Sequence, residues 1–151
     1  MASAAPAGYL LDTNILVHLI RGKAVGKAIE AHFGLHGGLN RSIICVVTVG
    51  EMYSLARKWN WGQSRLARLQ HLLGEVVWVD INRPSVLDAY GELDDLSNRL
   101  GRPMGKNDVW IAAVAKLSRM TLLTTDGDFD HLHPGHLIRI RLDENTGNPV
   151  P

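Results

Sequence analysis

The stretch TTDGDFD, residues 124–130, sets Asp126, Asp128 and Asp130 within five positions, directly after the largely apolar Met120–Leu123. Carboxylates this close repel one another unless something positive sits among them. Three more acids have comparable settings: Asp12 closes YLL and precedes Thr13 and Asn14, Glu51 ends TVGE, and Asp108 follows Asn107 at the head of VWIAAVA. Each has a plain structural explanation. Asp12, Thr13 and Asn14 are the short polar residues that cap a helix, and Thr48 and Glu51 have the spacing of a capping box. Asn107 can cap a helix whose positive end favours Asp108, and Gly-containing turns recruit aspartate at positions such as 126 and 128.

Function is argued by conjunction. Asp12, Glu51, Asp108 and Asp126 all fall where a strand ends or a helix begins, and four independent caps need not converge. If they do converge, the pocket holds four or five carboxylates, and Lys106 is the one lysine within the motifs. Such a cluster is either partly protonated or occupied by cations. Hard oxygen ligands suit Mg²⁺ or Mn²⁺, which keep several waters and take one or two carboxylates directly. Ions of this kind can activate water and orient a phosphodiester, which makes a phosphate ester the expected substrate.

The elements that must position these residues alternate in type. YLLD (9–12), SIICVVT (42–48), EVVWVDI (75–81), TLLTT (121–125) and LIRIR (137–141) read as strands, with helical periodicity between them. The pattern β, α, α, β, α, α, β, α, α, β, α, β predicts an α/β sandwich whose first four strands are parallel. Ligands bind such sheets at the carboxyl ends of the strands, near the point where strand order reverses. With 151 residues and 46% hydrophobic content, one domain over residues 9–142 is expected, between flexible segments 1–8 and 143–151.

Several chemistries lack their residues. The sequence contains no GxxxxGK[ST], GxGxxG or HExxH. The single cysteine, Cys45, lies in the apolar run IICVV, reads as core, and excludes a zinc-thiolate site. His131, His133 and His136 come nearest to a histidine ligand set, but a loop of solvated histidines is the simpler reading. No apolar run approaches the ~20 residues of a membrane-spanning helix. MASAAPAGY has neither the basic nor the long apolar region of a signal peptide, so a cytoplasmic protein without membrane partners is expected. The net charge of +1 argues for nothing by itself, yet gathering five of the 15 acids in one pocket leaves ten against 16 Lys and Arg elsewhere. That surplus could hold a polyanion.

The segments LLDTNILVHLI, TVGEMYSLA, NDVWIAAVA and LLTTDGDFDHL, in this order and spacing, resemble the PIN-domain family, and within it the VapC-type toxins of prokaryotic toxin–antitoxin pairs. The resemblance spans residue 9 to about 132. It implies a three-layer α/β/α sandwich with a mainly parallel five-stranded sheet. It further implies Mg²⁺- or Mn²⁺-dependent endoribonuclease activity on RNA, frequent homodimerisation and inhibition by a small cognate antitoxin. Carried over residue by residue, Asp12, Glu51, Asp108 and Asp126 match the four acids, Asn14 the polar residue accompanying the first, and Thr124 the threonine two before the last. On this reading Asp12 and Asp108 bind metal directly, Glu51 and Asp126 hold metal waters or a second ion, and Asn14 fixes Asp12. Asp128 either assists or is a turn residue, and Asp130 is left out. The alternative is a non-catalytic PIN module that binds RNA or a protein. A phosphatase of the haloacid dehalogenase type ranks lower, because it needs aspartate where Asn14 stands.

Arg102 and Lys106, in the loop before Asp108, are candidate RNA phosphate contacts, ahead of Arg21 and Lys23. Trp59 and Trp61, interleaved with basic residues, either stack on bases or pack a helix turn. Trp78 and Trp110 lie in apolar periodic segments and are expected in the core. Apolar positions between Gly50 and Leu73 could leave a groove for an antitoxin helix.

Overall fold

The computed structural model describes residues 8–35 and 41–151. Most of the expected flexible segment 1–8 therefore lies outside the described residues. The elements run β1 (Gly8–Leu11), α1 (Thr13–Arg21), α2 (Ala24–Phe33), β2 (Arg41–Cys45), α3 (Val46–Lys58), α4 (Gln63–Glu75), β3 (Val77–Val79), α5 (Pro84–Arg99), α6 (Lys106–Ser118), β4 (Thr121–Thr124), a 3₁₀ helix (Gly127–Leu132), β5 (Arg139–Leu142) and β6 (Pro149–Val150).

The strands form one sheet in the order β3-β2-β1-β4-β5-β6. β1 to β5 are parallel, and β6 is antiparallel to β5. The α/β class is as expected, but the sheet has six strands rather than five. The sixth arises because residues 143–151, expected as a free tail, turn back on β5. Asp143 holds that turn, accepting hydrogen bonds from the Asn145 and Thr146 amides at 2.8 and 2.9 Å.

β1 is buried along its whole length, as a central parallel strand between two helical layers must be. Its period of two sends Tyr9 and Leu11 into one core with Ile15, Leu16, Met52 and Leu69, and Leu10 into the other with Val86, Ile111 and Phe129. β2 and β4 divide in the same way, Ile44 and Leu123 joining the first core and Ile43, Cys45 and Leu122 the second. α2 packs tightly on α1 through Gly26, where a Cβ would collide with the His18 carbonyl.

Three local expectations are corrected. Val46, Val47 and Thr48 belong to α3, not to the preceding strand. Thr48 is therefore inside the helix and fully buried, and the capping box is not formed. Gly105, not Asn107, is the cap residue of α6, which puts Asp108 in its first turn. Trp78 is 47% exposed on edge strand β3, its indole N–H donating to the Leu73 carbonyl at 3.0 Å, while Trp110 is half-buried against Tyr90 with ring centroids 4.0 Å apart.

Candidate active site

Strand order reverses between β1 and β4: the chain builds β2 and β3 on one side of β1, then crosses to place β4 on the other. The carboxyl ends of these neighbouring strands open where such sheets hold ligands. Register fixes who meets there. Leu11 pairs with Leu123, and the Asp12 amide donates to the Leu123 carbonyl at 3.0 Å.

Asp12 is 3% exposed, and both its oxygens are engaged. Oδ1 accepts from the Thr13 amide at 2.8 Å, so Asp12 does cap α1. Oδ2 accepts from the Thr124 hydroxyl at 2.7 Å and from Asn14 Nδ2 at 3.2 Å. Asn14 is held in turn, its Oδ1 accepting from the Thr125 amide at 3.2 Å. The Thr124 hydroxyl also accepts from the Asp126 amide at 2.9 Å, which links the first acid to the last through one oxygen. Asp126 caps the 3₁₀ helix, its Oδ1 accepting from the Asp128 amide at 2.9 Å. Capping and site-building are the same geometry here.

Glu51 arrives from the side. Thr13 Oγ1 donates to Glu51 Oε1 at 2.7 Å and lies 3.2 Å from Thr48 Oγ1. A hydroxyl has one hydrogen, so Thr48 is the donor in the second contact. Thr13 and Thr48 thus fix Glu51, and sequence reasoning singled out neither for that role; two threonines beside motif acids are the signal that was present.

Asp108 comes from the first turn of α6. Asp108, Asp126 and Asp128 can each offer one carboxylate oxygen, all within 4.8 Å of one another. Asp12, Glu51, Asp108 and Asp126 line one cavity of about 450 Å³. Among the described residues, none of the five acids forms an ion pair. Burial, added to by Glu51 and Asp126, pushes the Asp12 carboxyl up to about 6 despite the Thr124 and Thr13 hydrogen bonds. Burial, then the charges of Asp12, Asp126, Glu51 and Asp128, pushes Asp108 up to about 7. Asp128 is raised by burial and by Asp126. A set of carboxylate oxygens without a paired cation fits a hard divalent cation.

The basic residues fall differently from expectation. Arg102 and Lys106 are exposed and do not line this cavity, whereas Arg21 does, with Trp59, His18 and Glu144. Proximity in sequence to Asp108 does not bring the first pair inward: Arg102 is exposed in the loop before α6, and Lys106 is exposed as the first residue of that helix. Burial and Arg21 lower the His18 pKa. Two loop histidines serve structure: His131 Nε2 is 2.8 Å from Ser97 Oγ, and His133 Nδ1 accepts from the Arg139 amide at 3.1 Å. Asp130 turns away to Arg139 and Arg141, at 3.1 and 3.0 Å.

A parallel sheet with acids gathered at its switch point defines a class of α/β domains. The chain belongs to the PIN domain family, whose model matches residues 9–133. It is 31% identical over 117 residues to Ribonuclease VapC1 of Haemophilus influenzae strain R2866, covering 77% of this chain and 84% of that protein. Ribonuclease VapC2 of Haemophilus influenzae Rd is 25% identical over 118 residues, 78% of this chain and 86% of that one. The fold is similar to the chain matched in the VapBC2 structure from Rickettsia felis, bound to a promoter DNA fragment. There the TM-score is 0.73 at 23% identity, with 88% of this chain and 97% of that chain covered. It also resembles VapC20 of Mycobacterium tuberculosis, a sarcin-ricin loop cleaving toxin, with TM-score 0.65, 17% identity and coverage of 89% and 99%.

Proposed function

We propose that this chain is a Mg²⁺- or Mn²⁺-dependent endoribonuclease hydrolysing RNA phosphodiester bonds, and the toxin of a type II toxin–antitoxin pair. The observation that carries the reading is the gathering of Asp12, Glu51, Asp108, Asp126 and Asp128 at one sheet edge with no paired cation among the described residues. The ribonuclease names of its relatives and the VapBC complexes among its structural neighbours support the choice of RNA and of a cognate antitoxin as partners. A cytoplasmic setting and a homodimer complete the reading.

Asp12 and Asp108 would hold the ion directly, Asp126 and Asp128 would offer oxygens within 4.8 Å of that of Asp108, and Glu51 would hold a metal water or a second ion. When bound, the ion supplies activation of water and stabilisation of the charge developing on the phosphate and leaving oxygen. The chain's own residues order that chemistry. Asn14 and Thr124 hold Asp12 against rotation through Oδ2, and Oδ1, which accepts only the Thr13 amide, keeps a lone pair for a cation. Thr13 does the same for Glu51. Without a bound cation these acids would repel an RNA backbone.

Cleavage of a labelled total-RNA pool in Mg²⁺ or Mn²⁺ tests the reading, with EDTA and Asp12→Asn as controls and the cut ends sequenced. Discrete cuts that vanish in both controls support it. Binding of RNA without cuts favours the non-catalytic PIN module.

A further inference from the structure

The cavity has an acidic wall and a rim of quite different character. Trp59 follows the last residue of α3, and its backbone is fixed rather than frayed. Asn60 takes the left-handed conformation at φ 50°, its amide bonds the Arg57 carbonyl at 3.1 Å, and the Trp61 amide reaches the Ala56 carbonyl at 3.0 Å. That is a Schellman cap, and the buried Trp61 supplies its apolar anchor. The ring of Trp61 lies 5.9 Å from that of Trp59 at 43°. Trp59 itself is left 45% exposed. Arg21, the last residue of α1, lays its guanidinium 4.8 Å from the Trp59 ring centroid. Both side chains line the same cavity as Asp12, Asp108 and Asp126, and among the described residues Arg21 is the one permanently charged cation that lines it.

A large aromatic held open beside a cation, at the mouth of a pocket that otherwise repels anions, is an unusual use of surface. Packing does not require it, since Trp61 already closes the α3–α4 corner. Aromatic rings and guanidinium planes are both surfaces on which an unpaired base stacks, and every base offers a face for them. The arginine can meet a neighbouring phosphate while its plane remains on the ring. An apolar protein segment would find Arg21 in the way.

We infer that Arg21 and Trp59 form a stacking shelf that receives the base of the nucleotide beside the scissile phosphate. The inference rests on the ribonuclease reading and adds to it the residues that receive that base.

The test compares wild type, Trp59→Leu, Trp59→Phe and Arg21→Ala on one fluorescent single-stranded RNA, with Mn²⁺ cleavage followed to give KM and kcat separately. Circular dichroism and thermal unfolding verify that each variant is folded. Arg21 is exposed at a helix end, so Arg21→Ala keeps the test valid if Trp59→Leu does not fold. Removing one stacked aromatic weakens binding by about 10-fold or more. The shelf predicts a rise in KM of that order for Trp59→Leu, a smaller rise for Arg21→Ala, near-normal values for Trp59→Phe and little change in kcat. If wild type cuts RNA but Trp59→Leu and Arg21→Ala match it in KM, the shelf is overturned and the ribonuclease reading stands. If wild type neither binds nor cuts RNA, both fall together.

Discussion

The Thr124 hydroxyl donates to Asp12 Oδ2 at 2.7 Å while accepting the Asp126 amide at 2.9 Å, so one side chain ties the acid after β1 to the acid after β4. The register of two neighbouring strands is thereby converted into the spacing of two carboxylates. Thr124 is fully buried, and its loss cannot be repaired by water at no cost.

Thr124→Val, nearly isosteric, removes both contacts. It should destabilise the protein by about 1–3 kcal/mol, the usual range for a buried polar group left without its partner. It should also raise the Asp12 pKa further, because Thr124 is the largest influence lowering it. Urea unfolding at pH 7 checks the first effect.

Stability should depend on pH in a definite direction. Asp12 and Asp108 have folded pKa values of about 6 and about 7, above the ordinary 3.8. Groups raised in this way favour the fold fully below the unfolded pKa, and that contribution is lost as pH rises through the folded values. Metal-free protein should therefore lose stability between about pH 4 and pH 7, by up to ~3 kcal/mol from the deeply buried Asp12. Thermal unfolding in EDTA from pH 4 to 8 measures it, and Asp12→Asn should flatten the curve. Added Mg²⁺ should raise the Tm at pH 8 and leave it unchanged at pH 4.

Thr13→Val frees Glu51 while leaving every proposed ligand side chain in place. RNA cleavage should fall about 10–100-fold, as when a group orienting a metal ligand is lost. Steady-state cleavage rates and a melting curve distinguish this from unfolding.

Asp130→Asn separates the two kinds of acid in TTDGDFD. Asp130 pairs with Arg139 and Arg141 on β5, so its loss should cost about 1–3 kcal/mol, as when a largely buried polar group such as Arg139 loses its partner. Mn²⁺ affinity should not change, which equilibrium dialysis can show.

Much of this site was legible because strand ends are legible. Asp12, Asp108 and Asp126 stand beside apolar runs whose length and flanking residues mark them as buried elements, and the parallel topology carries them to one edge. What escaped has physical reasons. IICVVTV is apolar apart from Thr48, and periodicity cannot divide such a run between β2 and α3, so Thr48 reads as a cap although it is an interior helical residue. DENTGNPVP is rich in turn formers and contributes only two residues to a strand, which hid β6 and brought Glu144 unannounced to the cavity. Trp59 and Trp61 look alike in sequence. Only the left-handed Asn60 between them decides that one is buried and the other faces the cavity. Arg102 and Lys106 were favoured by nearness along the chain, whereas Arg21 is near in space because α1 runs along the cavity wall.

The account stands or falls on whether these carboxylates hold a divalent cation. Mn²⁺ titration at pH 8, followed by electron paramagnetic resonance of the free ion, should show saturable binding by wild type, weakened about 10-fold or more by Asp108→Asn. No saturable binding by wild type, or equal binding by the variant, would contradict it.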